Sequence, residues 1–124
     1  QPIHILQAGL EAVAFRFKLI HNLLAAQLSG DHIIVATGGG LLHSAAWVQI
    51  LADVLGRGVY VSPIAEASCR GAALIALESL GKLDISDRAV LDTVHTVSPW
   101  PEAHAIYRAA LERHVDFEMR ISQS

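Results

Sequence analysis

The chain has 124 residues, about half of them apolar (52%), enough for one modest domain with a single core and not for two. Its formal net charge is −3 and no Lys/Arg cluster stands out, which leaves little support for nucleic-acid binding. Glu11, Arg16, Lys18 and Asp53 break every apolar run below the ~18 residues that a membrane span needs.

The first segment, Pro2 to Ser29, reads as a helix. Ile3, Leu6, Leu10, Val13, Phe17, Ile20, Leu24 and Leu28 recur in steps of three and four. Pro2 suits a first turn and Gly30 a stop. His32 to Ala36 is short, β-branched and continuous, the pattern of a strand buried on both faces. Thr37-Gly38-Gly39-Gly40 ends it. A second helix follows from about Ser44 to Leu55, capped by Ser44 and closed by Gly56, with Trp47, Ile50, Leu51, Val54 and Leu55 inward. Gly58 to Val61 is a second strand, halted at Ser62-Pro63.

A third helix spans about Ala67 to Leu80, and Gly71-Ala72-Ala73 near its start would let it approach a neighbour closely. Lys82 to Asp87 is polar linker, Val90 to Val97 a weaker strand, and Ser98-Pro99-Trp100-Pro101 a rigid break. An amphipathic helix from Glu102 to about Ile121 closes the chain. Helices alternating with strands predict an α/β fold, with short parallel strands packed with four helices. Those helices have more to bury than so thin a sheet can cover. Further strands are therefore expected before Gln1, and a first residue other than Met fits an excised segment. Exposed apolar surface on the sheet side, covered by a second copy in a homo-oligomer, is the corollary.

The most specific local feature is the passage from strand through Gly38, Gly39 and Gly40 to helix. A turn without Cβ atoms lets backbone N–H groups reach a ligand, and a following helix adds unpaired donors. Both favour an anion such as phosphate, or a nucleoside lying on the backbone. No Lys follows the glycines, so this is not the Gly-Lys-Ser/Thr phosphate loop, and the spacing is not that of a dinucleotide fingerprint. On spacing alone, a purely structural turn explains the pattern equally well.

Longer stretches carry a resemblance. Residues 38 to 56, Gly-Gly-Gly-Leu-Leu-His-Ser-Ala-Ala-Trp-Val-Gln-Ile-Leu-Ala-Asp-Val-Leu-Gly, resemble a signature near the end of FGGY carbohydrate kinases: glycines, a small residue or Ser, an aromatic residue, Gln and Leu-Ala-Asp-x-x-Gly. Glu66 to Ala73 is similar to the family's Glu-Ala-x-x-x-Gly-Ala-Ala element, Ala8 to Phe15 to its Glu-Gly-Val-Ala-Phe helix, and His104 to Tyr107 to its closing helix. Ala12 departs from the usual Gly, and Leu41, Leu42 and His43 stand where many members have a small and a basic residue.

The resemblance implies part of an actin-like ATPase (ribonuclease H-like) domain. Residues 1–124 would be the C-terminal nucleotide-binding portion of a sugar kinase, with 101–121 as closing helix. The cofactors implied are ATP and Mg²⁺, and the reaction is in-line transfer of the γ-phosphoryl group to a sugar hydroxyl activated by an Asp. Gly38, Gly39 and Gly40 would approach the nucleotide, Leu41 and Ser44 would border the adenosine, Gln49 would orient that edge, and His43 is a further candidate. In the family the catalytic Asp, the phosphate-binding hairpin and the sugar-binding domain precede the first helix. No catalytic residue is therefore assigned, and the isolated chain is expected to be inactive. The glycine loop with its His-Ser and Ala-Ala-Trp looks nearer to gluconate- and xylulose-type members than to glycerol kinases. The alternative is a non-enzymatic helical interaction module with a structural glycine turn.

The remaining candidates have plainer readings. Asp53 and Glu66 are expected in helix-end or surface ion pairs, and Glu11 in solvent. Cys69, the single cysteine, excludes an internal disulfide, fits a reducing cytoplasm, and is expected as a small buried hydrophobe. No leader peptide is visible. The seven histidines show no helix-face ligand spacing and no metal site is expected. Trp47 is expected in the core and Trp100 against the last helix. Arg108, Glu112 and Arg113 read as a solvated helix face.

Overall fold

A computed structural model describes residues 1–28, 32–64, 66–84 and 95–122. Their elements are α1 (Pro2–Ala25), β1 (Ile34–Ala36), α2 (Gly39–Leu42), α3 (Ala45–Leu55), β2 (Val59–Val61), α4 (Ala67–Ser79), β3 (His95–Val97) and α5 (Pro101–Ser122). The architecture is α/β, with five helices among these residues rather than four. The additional one is a single turn formed by the glycines themselves: Leu42 N–H donates to Gly38 O and His43 N–H to Gly39 O. Gly30 as the stop of α1, the linker from 85 and the strand residues 90–94 fall outside the described residues.

The sheet has the order β1-β2-β3. β1 and β2 are parallel, pairing Ile34 with Val59 and Ala36 with Val61. Parallel neighbours need a crossover, and α2 and α3 supply it. β3 corrects the all-parallel expectation, since it runs antiparallel to β2 with Val59 opposite Val97. An antiparallel edge strand on a parallel sheet is a common arrangement that alternation of elements does not reveal. β1 is itself an edge, so it is only half-buried apart from Ala36, and Ile33 before it is exposed.

α3 is the centre of the molecule. Val48, Leu51, Ala52, Val54 and Leu55 are all buried, together with Val59 and Val61 of β2 and Ala14 and Phe15 of α1. Burying each such Val or Leu contributes about 2 kcal/mol. Ser44 caps the helix, accepting from Trp47 N–H at 3.3 Å, and Gly56 closes it in the left-handed region at φ 67°. Both ends agree with the sequence reading.

α1 does not. Its periodic stripe lies largely open: Ile3, Leu6, Val13, Phe17, Ile20, Leu24 and Leu28 are exposed, while Ala14 and Phe15 make the buried contact. The helix leans on α5 through Tyr107, whose hydroxyl donates to Glu11 Oε1 at 3.0 Å and whose ring meets Phe15 edge-on, and through the Arg16–Glu118 ion pair at 2.6 Å. Glu11 is thus a structural acceptor, not a solvated charge. α4 has no fully buried residue, and a Cβ on Gly71 would meet nothing within 4 Å, so Gly71 makes no close approach to a neighbour among the described residues. Cys69 is exposed rather than buried, and Trp100 is 63% exposed rather than packed on α5. No helix of the described residues is long and apolar enough to cross a membrane.

Candidate functional site

Ligands of open α/β sheets sit outside the carboxyl ends of parallel strands. Here those ends are Ala36 and Val61. Two hydrogen bonds tie the segments leaving them together: Ser62 N–H donates to Ala36 O at 3.0 Å, and Thr37 Oγ1 donates to Ile64 O at 3.1 Å. The glycine turn after β1 and the Ser62–Ile64 segment after β2 therefore form one rim. Sequence reasoning gave Thr37 no role, although a polar residue closing an apolar strand is a usable signal.

Gly38 makes the turn. Its φ of 95° with ψ of 148° lies in a region that side-chain-bearing residues rarely adopt. The outside of the bend is open, because a Cβ built on Gly38 or Gly39 would meet nothing within 4 Å. On Gly40 it would reach Trp47 Cζ3 at 3.6 Å, ordinary contact. Trp47 is thus the floor beneath the turn, half-buried against the core as expected. The N–H groups of Gly39 and Gly40 open α2 and have no carbonyl inside it to bond. α2 is one turn long, so these individual donors matter here rather than a helix dipole, and the first capped N–H of α3 is already taken by Ser44.

The other candidates separate. His43 is exposed at the end of α2, its N–H bonded to Gly39 O. Leu41 packs against the core and lines an apolar groove of about 280 Å³ with Phe17, Ile20, Leu24, Ile34 and Leu51. Gln49 points elsewhere. Its Nε2 donates to Asp53 Oδ1 at 2.9 Å and to Ser98 O at 3.0 Å.

Asp53 corrects the surface-ion-pair expectation most sharply. It is buried, and its Oδ1 also accepts from Trp100 N–H at 2.7 Å, at the entry to α5. One helix turn on, His104 Nδ1 donates to Asp53 O at 2.7 Å, which requires the proton on that nitrogen. The same ring stands 2.4 Å from where a Cβ of Gly56 would lie. Gln49, Asp53 and Gly56 form a joint between α3 and α5. Glu66 is exposed just before α4, its Oε2 4.0 Å from Cys69 Sγ, with no ion pair among the described residues.

Residues 1–80 match the FGGY family of carbohydrate kinases, C-terminal domain. The chain belongs to that family. It is 32% identical over 114 residues to an L-xylulose/3-keto-L-gulonate kinase of Escherichia coli (strain K12), covering 90% of this chain and 23% of the relative. It is 29% identical over 107 residues to a gluconokinase of Bacillus licheniformis, covering 85% of this chain and 21% of the relative. The solved xylulose kinase of Rhodospirillum rubrum superposes with a TM-score of 0.71 at 27% identity, over 97% of this chain and 24% of that one. The chain thus spans about a quarter of the length of these FGGY kinases, and the likeness to them places it in the actin-like ATPase fold.

Proposed function

We propose that this chain is the ATP-binding portion of the C-terminal domain of a carbohydrate kinase whose whole form transfers the γ-phosphoryl group of ATP to a hydroxyl of a sugar or sugar acid. The observation that carries the reading is the bare bend at Gly38 and Gly39, open to the outside at the carboxyl ends of two parallel strands. A flat nucleotide can lie on backbone there, and Gly39 and Gly40 offer N–H donors to its phosphates. His43 closes α2, and Ser44 fixes the start of α3 behind it. Leu41 and Gln49 act from behind, Leu41 by seating α2 on the core and Gln49 by holding the α3–α5 joint.

Mg²⁺, when bound, would be held through the phosphate oxygens of the nucleotide and would offset their charge; the described residues include no group of three His, Cys, Asp or Glu suited to a metal. No catalytic base is assigned. The buried carboxylate of Asp53 is committed to Gln49 and Trp100, and Glu11 to Tyr107. The isolated chain is expected not to phosphorylate sugars. A pentulose or gluconate as acceptor is supported by the names of the similar kinases.

The test is thermal unfolding of the chain with Mg·ATP or Mg·ADP. A ligand that binds only the native state raises stability by mass action, about 1.4 kcal/mol at ten times its Kd. We expect the midpoint to rise with nucleotide and the rise to vanish in Gly38→Ala. A chain that melts cooperatively and shows no shift at millimolar nucleotide removes the reading and leaves the helical interaction module.

A further inference from the structure

We propose that the contact between His21 and His32 is an acid-sensitive clamp that fastens the C-terminal part of α1 to the start of β1, and that protonation of this pair lets that end of the helix go. His21 Nε2 lies 2.9 Å from His32 Nε2, with ring centroids 5.1 Å apart. The guanidinium of Arg57, in the turn between α3 and β2, reaches both the same His32 Nε2 and His32 O at 3.1 Å. The clamp thus gathers three segments: α1, the entry to β1, and the α3–β2 turn.

The proton positions follow from Arg57. A guanidinium is always charged and can only donate, so His32 Nε2 must be the acceptor and unprotonated. His21 Nε2 must then carry the hydrogen it shares. A proton added to His32 Nε2 turns both contacts into donor against donor. A proton added to His21 places a cation beside Arg57 and beside Lys18, whose Nζ donates to Leu55 O at 2.9 Å. Both outcomes are unfavourable because His32 Nδ1 is shut off from solvent with no partner, so charge in this pocket is poorly solvated.

The groups acting on His21 are Lys18 from its own helix, His32 ahead of β1 and Arg57 from the turn, and none of these is a carboxylate. Burial first, then Lys18, His32 and Arg57, hold His21 below its ordinary value of 6.5, with the Asn22 side chain acting the other way. The unfolded chain therefore binds the proton more readily. The clamp's contribution is complete above about pH 6.5 and is lost as pH falls through the lower folded value. The pair does not read as a metal site, since Arg57 and Lys18 would repel a cation at the same nitrogen.

The experiment uses the full 124-residue chain. Thermal unfolding is followed from pH 7.5 to 5.5 for the unsubstituted chain, for His21→Gln, whose amide can donate to His32 without titrating, and for His4→Gln, exposed at the far end of α1. We expect His21→Gln to escape about 5 °C of the acid-induced fall in midpoint, and His4→Gln to keep the whole fall. Amide exchange on the unsubstituted chain should show protection across residues 18–25 dropping about tenfold in acid relative to residues 51–55. An unchanged acid fall in His21→Gln overturns the proposal. If that variant does not fold, imidazole NMR of the unsubstituted chain decides: a His21 midpoint at or above about 6.5 overturns it, and a lower one supports it.

Discussion

Residues 38–44 and residues 49–56 belong to one continuous signature, yet they meet opposite surroundings. Around Gly38 and Gly39 there is open space, and the hydrogen bonds are those of a single helical turn. From Gln49 to Gly56 almost everything is enclosed. Asp53 is buried with two donors on one carboxylate oxygen, and Gly56 lies against the His104 ring. The first stretch presents backbone outward; the second spends its polar groups on holding α5. The same stretch of sequence therefore combines a bend open to solvent with the scaffold behind it, and Gln49 and Asp53 belong to the scaffold. Gln49, a nucleotide-site candidate in sequence, and Asp53, a surface candidate, are both architectural in space.

Substitutions in the two stretches test that division, taken from the largest effect down. Asp53→Ala should cost about 3 kcal/mol in urea unfolding, because it leaves the Gln49 amide and the Trp100 N–H without their buried acceptor. Asp53→Asn, which keeps an acceptor oxygen, should recover roughly half of that loss. If Asp53→Ala were harmless to stability, the scaffold assignment of the second stretch would fall.

Gly56→Ala should cost about 2 kcal/mol, combining a left-handed backbone at φ 67° with a side chain driven into His104. Its signature is that His104→Ala in the same chain makes the loss smaller, a coupling measurable by a double-mutant cycle. Gly38→Ala should lower stability by about 1.5 kcal/mol, since φ of 95° strains any side-chain-bearing residue while the surrounding space is free. What distinguishes it is the loss of any nucleotide-dependent rise in midpoint. Equal nucleotide response in Gly38→Ala and the unsubstituted chain would erase the contrast between the stretches.

The smallest effect lies outside both. Tyr107→Phe removes one hydrogen bond to Glu11 and should cost roughly 0.5–1 kcal/mol near neutral pH. Burial first, then the Glu11 contact, push the Tyr107 hydroxyl up to about 12 from its ordinary 10. The folded chain therefore holds that proton longer than the unfolded one. The contribution is present below pH 10 and is lost as pH rises toward 12. Alkaline unfolding should be less steep in Tyr107→Phe.

Several elements were legible because their signals are local. The cap at Ser44, the left-handed stop at Gly56 and the break before α5 follow from what those side chains and backbones permit. The glycine turn was legible as a bend without side chains, but that it lies open was decided by the structure. Other readings failed for one reason, that burial depends on what lies across from a residue. The stripe on α1 has helical period, but Ala14 and Phe15 are buried while Ile3 and Leu6 stand exposed. Cys69 and Trp100 have the composition of buried residues and stand exposed. Asp53 has the composition of a surface residue and is buried.

By itself, the order of residues determined where α3 starts and stops, that a glycine bend follows the first of two short apolar strands, and which family the chain resembles. Those depend on periodicity, on backbone freedom at single positions and on motif spacing, all of which are set within a few residues. The tertiary structure alone decided that β3 runs antiparallel, that Asp53 anchors α5, and that His21, His32 and Arg57 meet. Each of those is a contact between segments distant along the chain, and its energy comes from burial and partner geometry that no single segment contains.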